Sequence, residues 1–181
     1  RSELGVYFMA DRIVRLILSS ATPIFSITFP RAVELHNKKA SSAFNYSARW
    51  AIGGALTGFM ILISGIIIWP FIEALIMKFL TGINLEDLRS TLLVLGVLLP
   101  LLLCWRFFIN WMLSTKELDM AYRISVFSGA LVGLIGVHNM GGAPTSENLA
   151  WIALRAEISV IIVATTAILI IKIIKINSKQ N

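Results

Sequence analysis

Five apolar runs, near residues 6–29, 50–72, 92–113, 120–137 and 149–171, constrain this chain more than any other feature. A helix rises about 1.5 Å per residue, so about 20 apolar residues cross the hydrocarbon of a bilayer. All but the short fourth run reach that length. A membrane β-barrel does not fit, because its strands alternate apolar and polar side chains and these runs do not. The expected fold class is all-α: a polytopic membrane helical bundle of about five transmembrane helices, forming one membrane domain over residues 1–181. Composition agrees, with 57% apolar and only 14% charged residues, outside the range of soluble domains.

The formal charge of +6 would suit a nucleic-acid partner if its basic residues formed one patch. They fall instead in alternate connections. Arg31, Lys38, Lys39, Arg49, Lys116, Arg123, Lys172, Lys175 and Lys179 lie on one side of the expected topology, and only Arg1, Lys78 and Arg89 on the other. The positive-inside rule makes the first side cytoplasmic. The first helix then starts outside, the C-terminus ends in the cytoplasm, and no nucleic acid is expected.

The first run carries charges that need a reason. Read as one helix from Gly5 to Pro30 at about 100° per residue, it places Arg12, Arg15, Ser19, Thr22 and Ser26 within about a third of its circumference, with Asp11 at the edge. A charge in hydrocarbon costs a few kcal/mol or more, so this stripe should face protein or water. Asp11 and Arg15 are four apart, the spacing of a helical ion pair, which leaves Arg12 an uncompensated charge.

Further along, the polar stretch from Arg31 to Trp50 reads as a loop leading into an interfacial helix, with His36 solvated in it. In the second run Gly54 and Gly58 form a small-xxx-small face for close helix packing, Gly53 and Gly65 add to its glycines, and Pro70 stops or kinks the helix. Thr81 to Arg89 reads as an external loop, and Leu118 to Tyr122 as a polar turn. Gly129, Gly133 and Gly136 repeat the packing signature. Pro144 and two glycines make the connection from His138 to Glu147 non-helical. Arg106 either snorkels to the cytoplasmic headgroups, which its distance from the helix end favours, or lines a cavity. Arg155 is open to the same two readings, on a face with Ser159 and Thr166 from which Glu157 points away.

Chemistry of other kinds is missing from the sequence. There is no phosphate-binding glycine loop, HExxH pair, GxSxG elbow or CxxC, and neither His36 nor His138 has partners at metal-ligand spacing. Cys104 is alone, so no internal disulfide forms. No enzyme activity, metal or cofactor is expected. Arginines on membrane helices, with hydroxyls in line, suit binding and moving an anion.

The pattern Gly5-x-Tyr7-x-x-Ala10-x-Arg12-Ile13, followed by an apolar helix ending in Phe29-Pro30-Arg31, resembles the polysaccharide flippases, the O-antigen and capsule-type members of the multidrug/oligosaccharidyl-lipid/polysaccharide exporter superfamily. The motif covers about residues 3 to 35, and helix order extends the likeness to most of the C-terminal lobe of a twelve-helix member. The resemblance implies a part of a longer chain, whose N-terminal lobe is the missing partner. It further implies a multi-pass protein of the bacterial inner membrane that flips an undecaprenyl-diphosphate-linked oligosaccharide by alternating access between two lobes, without being an enzyme. Arg12 and Arg15, with Asp11, would match cationic cavity residues of that family, and Arg106 and Arg155 would match more loosely. A membrane-embedded glycan polymerase or ligase, or a drug exporter of the same superfamily, are the alternatives.

Overall fold

A computed structural model describes residues 2–79, 84–142 and 144–177. They are helical apart from short connections, and no strand occurs among them. The elements are α1 (Ser2–Ser20), α2 (Thr22–Lys38), α3 (Ala40–Phe79), α4 (Leu85–Gly96), α5 (Leu98–Leu113), α6 (Lys116–His138) and α7 (Ser146–Asn177). Within these, Ser41–Leu75, Leu85–Leu113, Leu118–His138 and Ser146–Ile171 are each long and apolar enough to cross a membrane, and α1 with α2 makes a fifth span bent by 46°. This is the helix inventory of a membrane protein.

Prolines explain where the spans break. Pro23 has no N–H for the Ser19 carbonyl and its ring crowds that carbonyl, so the first span breaks at Ala21 rather than running straight to Pro30. Pro100 stands in the same relation to Gly96, and the helix is interrupted at Val97 between α4 and α5. Pro70, in contrast, neither stops α3 nor divides it as a span, and Pro30 lies inside α2.

Several sequence expectations need correction. The stretch from Arg31 to Trp50 is helical except at Lys39, and His36 is half-buried on α2 rather than solvated, its Nδ1 buried without a partner. Ion pairs of Glu34 with Arg31 and Lys38 knit that turn of α2 together. Leu85 to Arg89 belong to α4, where the Asn84 side chain caps the helix by accepting from the Glu86 N–H at 3.1 Å and Glu86 and Asp87 favour the positive helix start. Residues 80–83 of that connection lie outside the described residues. Leu118 to Tyr122 are the second turn of α6, which at 23 residues is not short. The non-helical connection ahead of Ser146 is as expected.

α1 packs on α4 and α7, α2 on α3 and α5, α3 on α5, and α6 on α7. The Gly54 and Gly58 face does bring α3 against α5, with Gly58 facing the backbone of Leu99 and Pro100. Gly129 faces Val160 and the Ala156 carbonyl, and Gly136 faces Ile152, so the second packing signature joins α6 to α7. Gly53 and Gly65 face open space. The core between α1, α4, α5 and α7 is built from Val6, Ala10, Val14 and Leu18 on one side and Leu88, Leu95, Leu99, Leu103 and Leu154 on the other. Two polar contacts also join distant helices. Asn110 Nδ2 donates to Thr28 Oγ1 at 3.2 Å, tying α5 to α2, and the Ser146 N–H donates to Glu3 Oε2 at 3.1 Å, tying the start of α7 to the start of α1. Large apolar side chains such as Phe71, Ile27 and Leu134 stay exposed all around the bundle, a surface suited to lipid.

Candidate functional site

The buried face of α1, Val6 to Leu18, fixes what the rest of that helix can reach. Arg15 lies beside the edge of this face and Arg12 lies about 60° further round, away from it. Arg15, Ser19 and Thr22 line an open cavity of about 780 Å³ between α1, α2, α5, α6 and α7, whereas Arg12 does not, although both arginines are exposed. Ser26, beyond the bend at Ala21, is also outside the cavity.

Arg106 enters the same cavity from α5. Its guanidinium carbon lies 5.3 Å from the centre of the Phe25 ring, a cation–π contact that holds the group by its face and leaves its edge N–H groups available. The half-buried Arg106 thus takes the cavity-lining position, and Phe25 itself is fixed by Phe107 at 4.5 Å between ring centres. Arg15 is held differently. Its Nε donates to Asp11 Oδ2 at 2.6 Å, which leaves the terminal N–H groups free to meet a ligand.

The remaining polar walls come from Tyr122 on α6 and Glu157 on α7. Glu157 is the residue that spacing along α7 turned away from consideration. It is half-buried, lines the cavity with both arginines, and makes no hydrogen bond or ion pair among the described residues. The signal that marks it in sequence is its cost: a carboxylate in the middle of an apolar membrane helix needs a reason as much as an arginine does.

Arg155 stands elsewhere. It lines a second cavity, formed by α6, α7 and the connection between them, on a face of α7 turned well away from Glu157. The five candidate residues are thus distributed: Arg15 and Arg106 together, Asp11 behind Arg15, Arg12 exposed, and Arg155 in a site of its own. Among the described residues no group of three or more His, Cys, Asp or Glu is placed to hold a metal ion. No family model, curated protein or solved structure matches the chain.

Two guanidiniums on separate helices, each with unused N–H groups, can hold a di-anion at two points. The hydroxyls of Thr22 and Tyr122 add neutral donors around it, whereas that of Ser19 already donates to the Leu16 carbonyl at 2.8 Å.

Proposed function

We propose that this chain is part of a flippase that carries an undecaprenyl-diphosphate-linked oligosaccharide, a repeat unit of a surface polysaccharide, across the bacterial inner membrane. What carries the reading is the convergence of Arg15 and Arg106, from α1 and α5, on one largely apolar cavity that also holds Ser19, Thr22, Tyr122 and Glu157. A diphosphate is a fitting ligand for such a pair, because planar guanidiniums take phosphate oxygens two at a time. The motif from Gly5 to Ile13 and the segment Phe29-Pro30-Arg31 point to the same family. Alternating access then runs between this bundle and an opposing lobe, with the basic end of the bundle in the cytoplasm, and Arg12 is left free for that lobe.

A glycan polymerase or ligase is the competing class, and large outer loops would favour it. The α6–α7 connection is short, spanning only 139–145. Complementation of a flippase-deficient strain with the full-length gene separates the two. Restored surface polysaccharide is expected, with Arg15→Ala and Arg106→Ala each lowering it about tenfold, since hydrogen bonds to a charged group contribute about 1.5–3 kcal/mol. Restoration of a polymerase-deficient strain instead, or full activity of both variants, would overturn the reading.

A further inference from the structure

The second cavity, of about 750 Å³, has a chemistry of its own. Arg155 projects into it from α7, Trp151 and Asn148 lie one and two turns nearer the helix start, and Asn139 closes it from the connection. None of the side chains of Arg155, Asn139 or Asn148 makes a hydrogen bond or ion pair among the described residues. Trp151 is fixed at this rim, its Nε1 donating to Glu147 Oε1 at 3.3 Å.

Depth decides what can reach these groups. Arg155 is nine residues into α7, about 14 Å along the helix at about 1.5 Å per residue. Helical side chains lean toward the helix start, which lifts the guanidinium to the level of Trp151, the residue type that marks the membrane interface. Ile135 lines the cavity itself, and deeper in the bundle the exposed side chains of Leu131 on α6 and Ile158 and Ile162 on α7 continue as an apolar surface. A cation at interface depth above a lipid-facing apolar surface matches the order of groups in a phospholipid: phosphate first, acyl chains below.

We propose that this cavity binds the phosphodiester headgroup of an anionic membrane lipid with a polyol headgroup. Arg155 takes the phosphate, and the amides of Asn139 and Asn148 take the headgroup hydroxyls. No carboxylate is among the described lining residues; Glu147 stands at the rim, where it already accepts from Trp151 Nε1, so the ammonium of a zwitterionic headgroup finds no acidic partner inside the cavity. The site is separate from the cavity of Arg15 and Arg106 and does not depend on transport.

Native mass spectrometry of the full chain, released from nanodiscs containing equal phosphatidylglycerol and phosphatidylethanolamine, tests this directly. Phosphatidylglycerol is expected to be retained at least fivefold over phosphatidylethanolamine, and Arg155→Gln to remove that excess, with Arg155→Lys keeping part of it. The Asn139→Ala/Asn148→Ala double variant is expected to lower phosphatidylglycerol retention while leaving phosphatidic acid, which has the phosphate but no polyol, unchanged. Equal retention of the two lipids by the unaltered chain would overturn the proposal. So would an undiminished excess in a folded Arg155→Gln variant, or displacement of phosphatidylglycerol by millimolar inorganic phosphate, which would mark a site for a free anion. The first comparison needs no variant, so a failure of Arg155→Gln to fold does not remove the test.

Discussion

A single methyl group at Gly58 should loosen the bundle where the same group at Gly53 does not. A Cβ at Gly58 would sit 2.5 Å from the Pro100 nitrogen and 2.8 Å from the Leu99 carbonyl carbon, about 0.9 and 0.6 Å inside ordinary contact. Those atoms are backbone and cannot swing aside as a side chain would, so α3 must draw back from α5. A gap of about 0.5–1 Å forfeits about a quarter to a half of each dispersion contact along the seam, and overpacking of this kind costs about 1–3 kcal/mol. The helix preference for Ala over Gly offsets about 0.5–1 kcal/mol of that. Gly58→Ala is therefore expected to destabilise by about 1–2 kcal/mol. Gly53 has nothing within 4 Å of its Cβ position, and Gly53→Ala should be neutral or stabilise by up to about 1 kcal/mol. Unfolding of the purified chain by dodecyl sulfate in mixed micelles, followed by tryptophan fluorescence, measures both. Coincident transitions for the two variants, or a lower midpoint for Gly53→Ala, would refute the close approach of α3 to α5.

The link from Asp11 to Arg15 predicts that the two act as a unit: Asp11→Ala lowers transport, Asp11→Asn retains part because its amide oxygen still accepts, and Asp11→Ala adds nothing in an Arg15→Ala background. Protein abundance should hold steady, since the Arg15 side chain is 75% exposed and such a pair contributes under about 1 kcal/mol; multiplying effects in the double variant would make Asp11 an independent site, as for a coupling ion. For orientation, in a Cys104→Ser background a cysteine at Asn139 should react with an impermeant maleimide applied to intact cells and one at Lys39 should not. The opposite pattern would invert the topology.

How much of this was legible in the sequence differs from span to span. Apolar runs fix the number of spans, because the bilayer demands a length and nothing else in the chain supplies it. The glycines at 54 and 58 can be read as a seam, yet the sequence alone does not separate them from Gly53 and Gly65, since facing a neighbour is a property of the bundle. The polar stripe shows why. Projecting Arg12 to Ser26 on one circle assumes a straight helix, and the bend at Ala21 resets the direction of everything after it. Even before the bend, the arc is wide enough to hold both Arg15, which reaches the cavity, and Arg12, which does not; only the packing of Val14 and Leu18 decides between them. Glu157 and Arg155 are two residues apart and so point to different faces, and which face looks inward depends on where α1 and α6 lie against α7.

The two interruptions at Ala21 and Val97 have a mechanical consequence. α1 and α4, which precede them, pack against each other and against α7, while α2 and α5, which follow, pack against each other and against α3. The first interruption bends the chain by 46° whereas α4 and α5 remain one span, so the two packing groups meet at a boundary with one sharp joint, like two drums of a column. Arg15 belongs to the drum on one side of the boundary and Arg106 to the drum on the other. Arg15 is six residues from Ala21, a lever of about 9 Å at about 1.5 Å per residue, so each 10° of flexing at that joint moves its backbone by about 1.5 Å. The spacing of the two arginines thus follows the angle of a knee.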